Sequence, residues 1–232
     1  MDDDLIESNP LAGWRYTRKE AAPKDSDVDP LAADEQRAIL ANLPPEMANL
    51  IHFAFWTGLR TSEIIALDWA DVDFRRGTLT VKRALTRAAK GIPEQPKTKA
   101  GIREVKLLTP APDVLKHQKG ATFVGGTGAI FQNPATNERW SDAQIYRAWG
   151  TAMKRAGVRY RRPYQTRHTY ASMMLSAREH PMWVASQMGH RDWTMIARIY
   201  GKWIPEADTT AGEKAVSLFA PTDRMVKCKT PA

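Results

Sequence analysis

Two arginines in separate segments could hold a negatively charged phosphorus centre between them. Arg60 lies in the segment Thr57–Ile64, and Arg167 lies in the segment Tyr164–Ser172. A guanidinium is always charged, and its donors form a fork that fits two oxygens of a phosphate. Attack on a phosphodiester concentrates negative charge on the non-bridging oxygens, and positioned cations stabilise that charge. We therefore expect the two arginines to form a phosphate clamp.

A tyrosine, a lysine and a histidine supply the other groups that such a reaction needs. Tyr200 is the candidate nucleophile, and neighbouring cations would favour its phenolate. Lys99 is the candidate proton donor to the departing oxygen, with Lys97 as the competing choice. His190 follows Gly189 and precedes Tyr200 by ten residues, which favours a contact with the phosphate. A covalent phosphotyrosine would conserve the phosphodiester energy, so we expect no cofactor, no metal and no ATP.

Three side chains beside these groups have roles that the sequence leaves open. Glu63 follows Arg60 by three residues, and we interpret it as a structural residue or as one that orients an arginine. His168 is either a buried hydrogen-bonding residue or a proton-transfer group. Tyr164 is a second candidate for proton transfer. Tyr200 ends an apolar helical pattern, so a core tyrosine is the alternative interpretation of that residue.

Taken together, these segments resemble the sequence boxes of the tyrosine recombinases, the phage integrase family. The residues at the family's functional positions are Arg60 in TGLRTSE, Lys99 in KTKAG, Arg167 in RHTYAS, His190 in MGH, and the later Tyr200. The resemblance covers about residues 31–205, and the boxes occur in the family's order. One departure is Tyr164, at a position where the family usually has histidine.

The resemblance implies a site-specific DNA recombinase, an integrase, that cleaves and rejoins double-stranded DNA. It implies a 3′-phosphotyrosyl intermediate that is reversed by a 5′-hydroxyl from another duplex. The implied partners are a homotetramer on paired sites, accessory DNA-bending proteins, and a neighbouring protomer that receives the C-terminal tail, for which Ala211–Phe219 is the apolar candidate. Family members usually carry a preceding DNA-binding domain. Only about 30 residues precede the pattern here, so we expect that domain to be absent and DNA binding to be weak.

Two other functions stay open at this point. A type IB topoisomerase shares the chemistry but relaxes DNA without exchanging partners. A non-catalytic DNA-binding regulator would use the predicted short helix Pro181–Met188 and the helix after Gly189 as a helix-turn-helix. That second alternative leaves Arg60, Lys99 and Tyr200 without a purpose.

Hydrophobic spacing predicts the elements that must position these groups. Helices are predicted over about 33–42, 46–57, 62–68, 141–156, 166–176, 181–188 and 193–200. Strands are predicted at 71–74, 78–83 and 102–108. Thr61 or Ser62 is expected to cap the third helix, and Ser141 with Gln144 forms a capping-box pattern. The fold class is therefore mainly α with a small antiparallel β-sheet (α+β), and the resemblance implies the integrase catalytic-domain fold.

Charge and composition indicate a nucleic-acid partner and a simple domain organisation. The chain carries a net charge of +8, but residues 1–35 carry −6, so the remaining residues carry +14. A basic body favours a polyanion such as double-stranded DNA, because binding releases counterions. We expect a linker over 1–30, a catalytic domain over 31–205 and a tail over 206–232.

The expected location is the cytoplasm of a bacterium, with the gene encoded by the cell or by a phage. The single cysteine, Cys228, excludes an intramolecular disulfide framework and a metal site built from cysteines. The sequence contains no stretch of about 18 apolar residues, so we expect no membrane partner.

Overall fold

A computed structural model describes residues 28–86, 93–94, 102–123, 128–190 and 192–205, together with Gly13 and Glu213. The candidate lysines Lys97 and Lys99 lie outside the described residues, and so do most of the predicted linker and tail. Everything reported below concerns the described part of the chain.

Eight α-helices account for about half of the described residues. They are α1 (Ala33–Ala41), α2 (Pro45–Thr57), α3 (Thr61–Ile64), α4 (Pro110–Thr122), α5 (Asp142–Arg155), α6 (Gln165–Ser176), α7 (Pro181–Met188) and α8 (Thr194–Tyr200). Proline begins α2, α4 and α7, where its missing N–H costs no helical hydrogen bond. None of these helices has the length and apolar character that a bilayer crossing needs.

Two small antiparallel sheets complete the described fold. The strands β1 (Val72–Asp73), β2 (Thr78–Val81) and β3 (Arg103–Lys106) form one sheet in that order, and β4 (Gln132–Asn133) with β5 (Glu138–Arg139) forms a hairpin. The prediction of a mainly α fold with a small antiparallel sheet is confirmed. Helix α4 and the β4–β5 hairpin were not predicted.

The third helix differs from the prediction at both ends. It spans Thr61–Ile64 rather than 62–68, and Arg60, not Thr61 or Ser62, occupies the N-cap position. The helix begins early because the carboxylate of Glu63 accepts the backbone N–H of Arg60 at 2.9 Å. It ends early because the backbone hydrogen bonds change to the i→i−3 pattern: the N–H of Ala66 donates to the carbonyl of Glu63 at 3.1 Å, and the N–H of Leu67 donates to the carbonyl of Ile64 at 3.2 Å. The capping box of Ser141 and Gln144 is confirmed.

Helix α2 lies at the centre of the packing, in contact with α4 on one side and α6 on the other. One apolar cluster joins α1, α2, α4, α5 and the three-stranded sheet, and a second joins α6, α7 and α8. The side chain of Trp56 packs against both clusters. The candidate site lies along this junction, because its residues come from the ends of α2, α3, α6 and α7.

Candidate active site

Arg60 is held at the turn between α2 and α3. Gly58 ends α2 with φ +61°, and a Cβ there would lie 2.3 Å from Cδ1 of Tyr170, so only glycine fits this turn. The Nη1 of Arg60 donates to Oε1 of Glu63 at 2.9 Å. The Arg60 side chain remains 39% exposed. Hydrogen bonding to Glu63 therefore orients the Arg60 guanidinium, while part of the side chain stays exposed to solvent.

Arg103 on β3 is a member of the site that the sequence analysis missed. Its side chain is only 7% exposed, and Nη1 and Nη2 donate to the two carboxylate oxygens of Glu63 at 3.1 and 2.9 Å. Burial alone would raise the pKa of Glu63, but hydrogen bonds and charge from Arg103 and Arg60 hold that pKa below its ordinary value. Alternation along β3 was the available signal, because Arg103 shares the face of the buried Val105.

Arg167 is buried, with 1% of its surface exposed. Its Nη1 donates to the carbonyl of Gly58 and its Nη2 to the carbonyl of Met188, both at 2.7 Å. Nη2 also lies 3.2 Å from Nε2 of His190. Within the described residues, main-chain carbonyls and an imidazole balance this guanidinium. Arg167 thus joins the end of α2 to the end of α7.

His190 directly follows the glycine that ends α7. Gly189 has φ +70°, and the backbone N–H of His190 donates to the carbonyl of Ala185 at 2.9 Å. A guanidinium can only donate, so Nε2 of His190 accepts from Arg167 and the ring proton is assigned to Nδ1. Burial, together with the charges of the site's arginines, lowers the pKa of His190 to about 4. The imidazole is therefore neutral at pH 7.

Tyr200 and His168 form a close pair next to these arginines. The Tyr200 hydroxyl lies 2.7 Å from Nδ1 of His168, and Tyr200 is 2% exposed. Burial raises the pKa of the Tyr200 phenol, and the charge of Arg167 offsets only part of that rise. The neighbouring charge of Arg167 favours the phenolate, as expected, but burial outweighs it in the chain without DNA. Tyr164 is 42% exposed, and its ring meets that of His168 edge-on at 5.1 Å.

These contacts unite most of the predicted residues. We call the connected set the site cluster; its members are Arg60, Glu63, Arg103, Arg167 and His190. The pair His168–Tyr200 adjoins it, because His168 follows Arg167 on α6. Lys99 lies outside the described residues, so its distance from the cluster is not defined here. In the described residues no group of His, Cys, Asp and Glu side chains is arranged to hold a metal ion.

The sequence match to a known protein family identifies the family of this chain. The sequence model of the phage integrase family matches residues 30–203, which include every described member of the site. This chain belongs to the phage integrase family. Within the family, the departure at Tyr164 leaves an exposed phenol beside His168.

Individual relatives agree with this membership. The chain is 38% identical to the prophage integrase IntR of Escherichia coli K12 over 200 residues, which cover 77% of this chain and 48% of IntR. The chain thus spans about half the length of this curated relative. Its fold matches the Tn1549 transposon integrase bound to transposon right end DNA, with TM-score 0.66, 19% identity, and coverage of 93% and 73% of the two chains. It also matches a lambda integrase tetramer bound to a Holliday junction, with TM-score 0.57, 19% identity, and coverage of 88% and 56%.

Proposed function

We propose that this phage integrase family chain is the catalytic part of a site-specific DNA recombinase, with Tyr200 as nucleophile. The observation that carries the proposal is the imbalance of charge in the site cluster. Arg60 and Arg103 both bond to the carboxylate of Glu63, and Arg167 adds a third guanidinium that bonds to main-chain carbonyls and His190, next to the Tyr200–His168 pair. A phosphodiester supplies one negative charge and two acceptor oxygens, which is what such a cluster requires.

The exposed guanidinium of Arg60 is the group that first meets the phosphate. In the described contacts Glu63 engages one terminal nitrogen of Arg60, so the remaining donors of the fork are available to a phosphate oxygen. His190 can donate from Nδ1 while Arg167 holds its Nε2. Arg167 contributes positive charge from its buried position and keeps the His190 imidazole oriented.

Cleavage forms a bond between the Tyr200 oxygen and phosphorus and breaks the bond from phosphorus to the 5′ oxygen. The phenol proton passes to Nδ1 of His168, and Lys99 protonates the departing 5′ oxygen. The exposed ring of Tyr164 borders His168 edge-on. Because Tyr200 is buried against His168, DNA binding must move α8 before attack. Rejoining reverses the same steps with a 5′-hydroxyl from another duplex.

The proposed partner is double-stranded DNA, and the proposed assembly is a homotetramer on paired sites. The lambda integrase tetramer on a Holliday junction supports this assembly. We further propose that the tail after residue 205 docks on a neighbouring protomer, that accessory proteins bend the DNA, and that the protein acts in the bacterial cytoplasm. The phage and prophage relatives support this setting. Relatives named as integrases and tyrosine recombinases support neither a relaxing topoisomerase nor a non-catalytic regulator.

A covalent trapping experiment tests the nucleophile without knowledge of the target site. Purified chain is incubated at low salt with a pool of nicked duplexes of randomised sequence, because low salt strengthens phosphate binding. Cleavage beside a nick releases a short strand and traps the protein on DNA. We expect a denaturation-resistant adduct, and sequencing of the trapped DNA identifies the site.

Two substitutions make this test decisive. Tyr200→Phe removes the nucleophile and should abolish the adduct, whereas Tyr160→Phe, at an exposed tyrosine, should leave the adduct intact. Peptide mapping of the wild-type adduct should locate the DNA on Tyr200. An adduct that survives Tyr200→Phe, or that maps to another residue, contradicts the proposed function.

A further inference from the structure

Arg103 is a charged side chain on the inner face of a strand. It pairs with Val81 across the β2–β3 ladder, and both Val81 and Val105 are fully buried. Placing a guanidinium there is costly unless its charge and donors are matched. Arg103 contacts two different parts of the site cluster. Its burial therefore helps to arrange the site.

The first contact leads to Arg60. Arg103 donates to both oxygens of Glu63, and this bidentate geometry fixes the plane of the carboxylate. The same two oxygens accept the backbone N–H and the Nη1 of Arg60. A carboxylate held in one plane holds Arg60 in one orientation. Without Arg103, Glu63 could rotate with Arg60 still attached.

The second contact leads to His190. The Nε of Arg103 donates to the carbonyl of Gln187 at 2.8 Å, and Oε1 of Gln187 accepts the backbone N–H of Lys106 at 2.8 Å. The next carbonyl along the chain, that of Met188, is bound by Arg167. Two guanidiniums therefore bind consecutive carbonyls at the negative end of α7, immediately before His190.

The close approach at Gly189 supports the same interpretation. A Cβ at Gly189 would lie 2.8 Å from Nη1 of Arg103, so the turn that presents His190 is packed directly on this guanidinium.

We propose that Arg103 is a positioning residue for DNA cleavage, which sets Arg60 through Glu63 and His190 through the last turn of α7. This inference rests on the proposed function. Arg103 touches no reacting atom; it acts by keeping two phosphate-binding groups in register. Displacement of such groups by about 1 Å commonly slows a reaction about 100-fold.

The test compares Arg103→Met with Arg103→Lys and with Arg76→Met as the matched control. Arg76 forms an exposed ion pair with Glu104, the neighbour of Arg103 on β3, so its loss removes the same charge from the same sheet. We expect Arg103→Met to slow adduct formation at saturating DNA about 100-fold, with DNA affinity within about threefold of wild type. Arg103→Lys keeps the charge but not the fork, and should recover no more than about a tenth of the wild-type rate.

Histidine ring resonances followed by NMR across pH give a second readout that needs no catalysis. With Arg103→Met the His190 titration should move upward by about half a pH unit, while Arg76→Met should leave it unchanged. If Arg103→Met is folded and cleaves within about threefold of wild type, or loses affinity rather than rate, the inference is wrong. Arg103→Lys keeps the charge, so a His190 titration that also moves in this variant reports lost positioning rather than lost charge. If wild type forms no adduct while Arg103→Lys still shifts His190, the proposed function fails and the positioning of His190 by Arg103 stands.

Discussion

The site cluster and the ion pairs at the start of the described fold balance positive charge in different ways. In the site cluster two guanidiniums, those of Arg60 and Arg103, share the carboxylate of Glu63, and a third, that of Arg167, is bound by main-chain carbonyls and His190. At the start of the fold, two guanidiniums meet two carboxylates, and we call this set the staple cluster; its members are Asp29, Glu35, Arg159 and Arg161. The staple cluster is neutral and complete, whereas the site cluster retains surplus positive charge.

The difference teaches which arginines are ready to accept an anion. Arg161 has a carboxylate on either side, and both lie within 3.0 Å of its guanidinium. A phosphate would have to displace those carboxylates to bind there. Arg167 is balanced by carbonyl dipoles, which orient a guanidinium without neutralising it. An excess of positive charge, rather than the number of arginines, therefore distinguishes a phosphate-binding cluster from a cluster of structural ion pairs.

The largest expected effect comes from removing the buried guanidinium of the site cluster. Arg167→Met leaves the carbonyls of Gly58 and Met188 without their donors in the interior. Each such loss costs about 1–3 kcal/mol, so we expect the loss of both donors to lower the free energy of unfolding by about 2–6 kcal/mol in urea denaturation. Adduct formation should also be abolished, because His190 loses the group that orients its ring.

Arg159→Met in the staple cluster is the matched control for this comparison. The Arg159 side chain is 68% exposed, and exposed ion pairs contribute about 0–1 kcal/mol. Equal losses of unfolding free energy for the two variants would contradict the distinction between the clusters.

The same comparison shows what the sequence could and could not reveal. Arg60, Arg167 and His190 were recognisable because each lies in a local motif, and the structure brings these three into one cluster. Arg103 has no such motif; its partners come from residues 63 and 187, so only tertiary packing reveals its role. The burial of Tyr200, which outweighs the effect of the neighbouring charge on its pKa, was not predictable for the same reason, because burial is a property of the packed fold.

The secondary-structure elements also divide into those that local sequence predicts and those that depend on tertiary packing. Helices with a clear cap or apolar period, such as α2 and α5, were predicted within a few residues. Helix α4 was missed because its sequence, PAPDVLKHQKGAT, contains two prolines and a glycine. Its Val114 and Leu115 become buried only when α4 packs on α2. Local propensity is a weak guide where packing supplies the stability.

A smaller effect is expected from the pH dependence that the burial of His190, together with the neighbouring arginine charges, creates. The pKa of His190 is lowered to about 4 from an ordinary value of 6.5, so the unfolded chain binds more protons than the folded chain between these values. Stability should therefore fall as pH decreases from 6.5 towards 4. Since the ring is partly exposed to solvent, we expect a contribution on the order of 1 kcal/mol.

His190→Gln removes this titration, and urea unfolding at several pH values measures the result. The variant should lose less stability than wild type between pH 6.5 and 4. His117→Gln, on the distant helix α4, is the control and should follow the wild-type curve. A wild-type slope that persists in His190→Gln would show that the site cluster does not hold this imidazole neutral.

The smallest expected effect comes from a substitution in the staple cluster, whose charges are balanced. Asp29→Asn removes one carboxylate from the staple cluster but keeps the backbone N–H of Asp29, which donates to Oε1 of Gln165 at 3.0 Å. Because Arg161 still pairs with Glu35 at 2.7 Å, we expect a loss of about 0.5–1 kcal/mol in the free energy of unfolding. The released guanidinium of Arg159 then resembles those of the site cluster, so DNA affinity at low salt should rise slightly, with a steeper dependence on salt concentration. If Asp29→Asn leaves DNA affinity and its salt dependence unchanged, pairing with a carboxylate does not explain why an arginine of this fold fails to bind phosphate.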